Sequence, residues 1–550
     1  MANWWQDRIV YQIYPRSFAD SNGDGIGDIP GITAHLDALK DLGIGIIWLS
    51  PVYRSPDADN GYDISDYRDI DPKFGTMADM DTLIAEAAKR DIKIVMDLVI
   101  NHTSDEHEWF VKSRDKSSPY RDYYIWRPGK KPNKKHAFRG SQIGSPPNNW
   151  TSFFGEGCWE YDEKSDEYYL HLFAVKQPDL NYRNPKVLEE IKDIMRFWLD
   201  KGVAGFRCDV INIIYKTSLE DGKKRLALTG SEHYISQPGA HDILRELRRD
   251  VLSHYDCFAV GETVFVSPQM GKELTDKSRG ELDMIFSFEH METDQYYIKW
   301  FKRRFHAGRF GKTVAKWQNA LEWNANYLEN HDQPRCVSRF GDDGEYWAAS
   351  AKLLATLLLT LRGTPYIYQG QEIGMTNFDF TSLEQIQDVE SHNIYRLAKR
   401  LHIPAFYRWR MIRTASRDNA RTPVQWNSDS NAGFTTGRPW LGINRNYTRI
   451  NMAAQMNDPD SIRSYYKKMI ALRAQSDVLK YGSFRLIKAT RRLFAYEREL
   501  NGKRIQILLN FSKRPQKAQT QGRLILSNYQ RGTYDGILSS YEAVILEVSS

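Results

Sequence analysis

The chain has 550 residues, too many for one ordinary domain, and its 41% hydrophobic and 27% charged content excludes disorder over most of its length. Its net charge of +6, against 76 basic and 70 acidic side chains, calls for neither nucleic acid nor a membrane surface as partner. Aromatic residues reach 13%, a supply of flat faces with polar edges that suits sugars, interfaces or a large core.

The opening residues, Met1-Ala-Asn-Trp-Trp-Gln-Asp7, hold no apolar stretch of secretory type. The cysteines, Cys158, Cys208, Cys257 and Cys336, form no disulfide framework. The longest apolar run, 353–361, is too short to span a bilayer. We expect a reduced, cytoplasmic protein, a monomer or weak oligomer. At residues 20–28, Asp-Ser-Asn-Gly-Asp-Gly-Ile-Gly-Asp places oxygen donors at alternate positions, with glycines for a tight turn. The first half copies an EF-hand loop, but position twelve is Gly31 rather than the closing glutamate. Asp20, Asn22, Asp24, the Ile26 carbonyl and Asp28 would surround one Ca2+, with Mg2+ as competitor; the alternative is an Asp/Gly turn without metal.

A helix-then-strand unit then recurs. Helical spacing over 32–42 stops at Gly43 and leads into an apolar strand at 44–49. A helix at 80–89 precedes a strand at 92–98. Over 187–199, Val187, Leu188, Ile191, Ile194, Met195 and Trp198 share one face, followed by a strand at 203–209. Helices at 243–252 and 346–361 precede strands at 257–261 and 365–368. Continuous apolar strands alternating with helices predict a parallel sheet covered on both faces, and the number of units favours a closed (β/α)8 barrel, a TIM barrel. The polar, aromatic stretch 104–176 interrupts the rhythm as a small inserted domain, too long for a structureless loop; its basic run at 129–136 reads as a solvated loop. After residue 477 the pattern alternates, and Asn501-Gly502 between two apolar runs predicts a hairpin. The expected division is a barrel domain at 1–103 and 177–477, the insert at 104–176, and a C-terminal all-β sandwich domain at 478–550.

Reacting groups of an α/β barrel sit at the C-terminal ends of its strands. Here strand 3 ends in Asp97 and runs on to His102, strand 4 ends in Asp209, strand 5 in Glu262, and a seventh unit in His331-Asp332. Hydrolysis at an acetal carbon needs two carboxyl groups, a nucleophile and an acid that then serves as base, and in retaining enzymes they lie about 5–5.5 Å apart, the scale of neighbouring strands. Asp209 and Glu262 fit that pair. Arg207, two residues before Asp209, shares its face and can keep a carboxylate ionised. Asp332 would add negative charge near an oxocarbenium-like transition state, and close carboxylates should raise one proton affinity, as a general acid requires. His102 and His331 suit sugar hydroxyls. Cys208 reads as a buried, inert thiol.

Five segments together resemble the signature regions of the α-amylase superfamily, glycoside hydrolase family 13: Asp97-Leu-Val-Ile-Asn-His102, Gly205-Phe-Arg-Cys-Asp-Val-Ile-Asn212, Gly261-Glu-Thr263, Glu329-Asn-His-Asp332 and Gln177-Pro-Asp-Leu-Asn181. The resemblance runs along essentially the whole chain. It implies a retaining double displacement with Asp209 as nucleophile, Glu262 as acid/base and Asp332 as transition-state stabiliser. The stretches at 60–67, 148–150, 363–369 and 417–423 are most similar to the oligo-1,6-glucosidase and exo-α-glucosidase subgroup. That resemblance implies Asp59 and Arg417 on the far hydroxyls of the terminal glucose, Tyr62 and Phe154 as pocket walls, Gln177 nearby, and a structural calcium in the 20–28 loop. In that subgroup valine after the nucleophile accompanies α-1,6 preference, and Val210 stands here. Gln371, where relatives often carry glutamate, and Tyr182, where tryptophan is common, depart from the pattern.

The expected function is exo-acting release of terminal α-1,6-linked glucose from small oligosaccharides (α-glucosides). The alternatives are a broader or α-1,4-preferring α-glucosidase, a transglucosylase or sucrose isomerase using the same covalent intermediate, and, remotely, a non-catalytic sugar-binding or partner subunit.

Overall fold

The structure, a computed structural model, describes residues 3–130, 144–155, 157–225 and 227–548. The basic run expected as a solvated loop lies outside the described residues from 131 on. Eight short parallel strands carry the fold: β1 (Val10–Ile13), β2 (Ile46–Leu49), β3 (Lys93–Leu98), β4 (Gly205–Cys208), β5 (Phe258–Glu262), β6 (Met284–Phe286), β7 (Ala325–Asn326) and β8 (Thr364–Tyr368). They follow the order β6-β5-β4-β3-β2-β1-β8-β7, in which chain neighbours are sheet neighbours, the topology of a (β/α)8 barrel. All but the first residue of β3 are buried, the signature of strands covered on both faces.

The chain divides into two compact units. One comprises residues 1–50, 79–94 and 288–550, and contains the C-terminal segment; the other comprises 51–78 and 95–287, and contains the insert. In the second unit the helix Pro185–Asp200 is capped by Asn184, whose side chain accepts from the Lys186 amide, with Pro185 at the first position. The apolar face expected from its spacing is buried, and its Trp198 Nε1 donates to the Tyr67 carbonyl at 2.8 Å. Gly205 opens β4 at φ +145°; a Cβ there would lie 2.1 Å from the Phe258 carbonyl oxygen, so only glycine lets β4 and β5 approach this closely. The insert carries a three-stranded antiparallel sheet with Glu167–Leu170 between Trp126–Arg127 and Trp159–Asp162. A buried cluster including Trp150, Cys158, Trp159, Tyr168 and Leu170 stands on it.

In the first unit, the single helix expected at 32–42 is two, Ile29–Ala34 and Leu36–Leu42. His35 interrupts it at φ −105°, ψ 6°, where its ring lies tilted against Trp426 with centroids 3.8 Å apart and its Nδ1 bonds the Gly31 carbonyl at 2.8 Å. That packing is long-range and leaves no local signal. The C-terminal strands β9 (Ser483–Ala489), β10 (Leu493–Leu500), β11 (Lys503–Asn510), β12 (Arg523–Ser527) and β13 (Ala543–Val548) form an antiparallel sheet ordered β9-β10-β11-β13-β12. Asn501 (φ +52°) and Gly502 (φ +79°) make the two-residue turn expected from their identity, pairing Leu500 with Lys503. A two-stranded ribbon, Gln516–Lys517 with Ile537–Leu538, supplies Leu538 to the core of this sheet.

Candidate active site

Register brings the acids of the second unit together. Along β3 and β4, Asp97 pairs with Arg207; along β4 and β5, Cys208 pairs with Gly261, so Asp209 and Glu262 come next in line on adjacent strands. Arg207, fully buried, stands within 2.6 Å of Asp97 Oδ1 and Asp209 Oδ1 through Nη1 and of Glu262 Oε2 through Nη2. One guanidinium thus serves three carboxylates. Burial pushes the Asp209 carboxyl well above the usual range, and Glu262 and Asp97 push the same way against Arg207. The sequence reading assigned the raised proton affinity to the general acid; the group raised here is the residue expected as nucleophile. The backbone N–H of Val210 also donates to Glu262 Oε2, at 3.3 Å.

Val210 holds φ +36° and ψ +40°, a left-handed conformation that is strained for a β-branched residue. Its side chain is buried in the insert's apolar cluster with Trp150, Cys158 and Tyr234. Asn212 then pins the segment after β5: its Oδ1 accepts from the Val264 amide at 3.0 Å and its Nδ2 donates to the Val264 carbonyl at 2.9 Å. Cys208 is buried with its thiol pushed up to about 12 by burial, an inert group as expected.

The other expected pocket residues of this unit form a linked set. Tyr62 donates through its hydroxyl to Asp97 Oδ2 at 3.1 Å, and its ring lies 5.9 Å from the Arg207 guanidinium. Gln177, wholly buried, donates to Asp59 Oδ2 at 3.4 Å and the Tyr62 carbonyl at 3.3 Å, and stands 3.1 Å from His102 Nε2. Burial lowers the His102 proton affinity, so the imidazole is neutral near pH 7. Phe154 is buried edge-on to Phe173, which in turn lies 5.1 Å from His102. Asp59, Tyr62, His102, Phe154, Gln177, Arg207, Val210, Asp209 and Glu262 all belong to this unit.

Asp332, His331 and Arg417 belong to the first unit, where a separate charge cluster surrounds Asp332. Its Oδ1 accepts from Arg421 Nη2 at 2.7 Å and Arg417 Nη1 at 3.4 Å, and its Oδ2 lies 3.1 Å from His331 Nε2. Burial works against ionisation, but His331, Arg417 and Arg421 outweigh it and hold Asp332 well below the usual carboxylate range. His331 is fixed by Gln12 Nε2 at 2.8 Å from its Nδ1 and by Tyr14, stacked 6.0 Å away. Arg417 donates through Nε to Asp388 Oδ1 at 2.8 Å. Next to it, Asp418 is pushed up to about 6 by burial and by Asp388. Sequence reasoning missed two members here. Arg421 stood unassigned in the quoted stretch 417–423, whereas Asp388, some thirty residues before Arg417, gave no signal.

In the 20–28 loop the donor chemistry is that of a hard cation: three carboxylates, one amide and one carbonyl. Asp20 Oδ1 accepts from the Asn22 and Gly23 amides, Asn22 Oδ1 from Asp24, and Asp24 Oδ1 from Ile26, each at 2.8–3.0 Å. Asp28 accepts at Oδ2 from the Ser21 amide and at Oδ1 from the Gly31 amide, capping the helix Ile29–Ala34. The loop is therefore preformed. Among the described residues, however, no three acidic, histidine or cysteine side chains converge closely enough to hold an ion.

The alpha-amylase catalytic-domain family matches residues 12–482. An oligo-1,6-glucosidase of Parageobacillus thermoglucosidasius is 54% identical over 524 residues, covering 93% of this chain and 91% of that one. Two solved structures, each 41% identical and matched over the full length of both chains, are the trehalose-6-phosphate hydrolase of Bacillus licheniformis, as a mutant complex, at a TM-score of 0.94, and the isomaltulose synthase of Erwinia rhapontici NX5 at 0.95. With the strand-end carboxylates in place and the match spanning most of its length, the chain belongs to the alpha-amylase family, glycoside hydrolase family 13, and is a glycoside hydrolase.

Proposed function

We propose that the chain is an exo-acting, retaining α-glucosidase that removes terminal α-1,6-linked glucose from isomaltose-type oligosaccharides. The observation that carries the reading is the Arg207-centred pair of Asp209 and Glu262 on adjacent strands, each 2.6 Å from the guanidinium. A carboxylate oxygen of Asp209 attacks C1 of the terminal glucose while the Glu262 carboxyl gives its proton to the glycosidic oxygen. The bond from C1 to that oxygen breaks, the shortened sugar leaves with the proton, and a glucosyl ester of Asp209 remains. Glu262, now ionised, takes a proton from water, whose oxygen attacks C1 and frees Asp209, returning glucose in the α configuration. Arg207, paired with both acids, favours the ionised form that each must adopt in turn. Asp332 takes the third carboxylate's part from its place in the fourth motif. Asp59, Tyr62, His102, Phe154 and Gln177 hold the terminal glucose in this reading.

The α-1,6 preference is supported by Val210 and by the 54% identity to an oligo-1,6-glucosidase. The resemblance to an isomaltulose synthase supports sugar transfer as a second reading, since only the acceptor at the intermediate differs. Calcium in the 20–28 loop would brace the fold and take no part in the chemistry. Four unpaired cysteines support a reducing, cytoplasmic setting, and among the described residues no helix is long and apolar enough to cross a membrane. Glucose release from isomaltose and maltose, followed side by side by NMR, tests the proposal. Faster isomaltose cleavage with α-glucose appearing first supports it. Faster maltose cleavage removes the linkage assignment, and dominant transfer products favour the second reading.

A further inference from the structure

Three basic segments of the first unit close on one cavity of about 360 Å3. Arg304 comes from the segment before the helix Ala307–Ala320, Arg491 and Arg492 from the turn between β9 and β10, and Lys513 and Arg514 from the segment after β11. Backbone bonds tie the segments together: the Ala307 amide donates to the Arg491 carbonyl at 3.3 Å, and the Phe511 amide to the Arg492 carbonyl at 2.7 Å. Beneath the cations, Phe305 and Phe511 pack ring to ring at 5.3 Å and make an apolar floor.

No acidic residue is among those described as lining the cavity. Lys513 is paired with Asp342 at 2.7 Å, whereas the guanidiniums of Arg304, Arg491, Arg492 and Arg514 have no ion-pair or hydrogen-bond partner among the described residues. In a chain with nearly as many acids as bases, four unpaired guanidiniums in one concavity form a local excess. The surroundings register it: His306, lowered first by burial, is lowered further by Arg309, Arg491 and Lys312. Guanidinium forks match the oxygens of phosphate two at a time, and a cavity of this size is that of a small-molecule site.

We propose that this cavity binds a small, multiply charged phosphate compound, as a site distinct from the carboxylate clusters. The test is calorimetric titration of the full chain with pyrophosphate, glucose 6-phosphate and ATP at constant ionic strength, with chloride as the blank. One-to-one binding is expected. Arg492→Ala/Arg514→Ala, both at exposed positions, should weaken it about tenfold or more while glucoside hydrolysis and melting temperature stay as they are. Tighter binding of pyrophosphate marks an inorganic ligand, and tighter binding of ATP or glucose 6-phosphate an organic phosphoester; either supports the site. Heats no larger than the blank for all three compounds, or equal affinity in the double variant, would overturn it. Because glucose 6-phosphate can also enter a glucose pocket, its binding counts only where the double variant loses it.

Discussion

Around Arg207 one guanidinium faces three carboxylates, while around Asp332 one carboxylate faces two guanidiniums and an imidazole. The first cluster has an excess of negative charge in a buried place, and Asp209 is pushed toward its protonated form. In the second, Arg417, Arg421 and His331 surround Asp332, and it is held ionised. The same residue type thus meets opposite electrostatics because its neighbours differ. A proton has to move between the Asp209–Glu262 pair and the sugar, whereas a carboxylate that stabilises positive charge has to stay charged throughout.

The largest effects should come from the first cluster. Asp209→Ala should lower kcat by about 10⁴-fold or more, and Glu262→Gln by about 10²–10⁴-fold, with folding intact by circular dichroism. Near-normal turnover in either would break the comparison at its root. In the second cluster the largest effect should fall on stability. Arg421→Ala removes a wholly buried guanidinium from Asp332 and should cost about 3–5 kcal/mol in denaturant unfolding. Chelation should reveal whether the loop at 20–28 is a metal site: at a hundredfold excess of ion over its dissociation constant, removal costs about 2.7 kcal/mol. The melting temperature should therefore fall more than activity does, and no shift would leave the loop a metal-free turn.

The contrast is sharpest in the sign of two isosteric changes. Asp209→Asn relieves repulsion and should stabilise the fold by about 1 kcal/mol at pH 7 even as it abolishes activity. Asp332→Asn removes a carboxylate shared by Arg417 and Arg421, leaving Asp388 beside Arg417, and should destabilise by about 1–3 kcal/mol. Proton linkage sets the pH course. A carboxyl raised on folding favours the fold below its unfolded value and loses that contribution as pH rises, so the gain from Asp209→Asn should grow from about pH 4 upward. A lowered one stabilises above its unfolded value and loses that as pH falls, so the penalty of Asp332→Asn should shrink below about pH 4. Equal signs for the two variants would refute the contrast. The smallest effect concerns linkage: Val210→Thr should shift preference from isomaltose toward maltose by about 1 kcal/mol, a few-fold in the ratio of kcat/KM.

These clusters also separate what was legible in the sequence from what was not. Strands such as β4 and β5 are short apolar runs that end in Asp209 and Glu262, so their positions and their acids could be read directly. The Asn501-Gly502 turn was readable for the same reason, since local geometry demands those residues. β6 is only three residues long and carries no pattern of its own. The break at His35 and the Asp388 partner of Arg417 arise from contacts between distant segments, which periodicity cannot reveal. The direction of the Asp209 shift was likewise hidden, because it depends on how many carboxylates share Arg207. The basic cavity is invisible in any single stretch, since three separated segments build it.

The most direct test of the account is azide rescue of the two acid variants, with the configuration of the product read by NMR. In Asp209→Gly, azide should enter the space of the lost carboxylate and give the β-glucosyl azide by a single inversion. In Glu262→Ala, azide should intercept the ester of Asp209 and give the α-glucosyl azide. Those two products together assign nucleophile and acid/base as proposed. The reverse pair of anomers, or rescue of neither variant, would contradict the assignment.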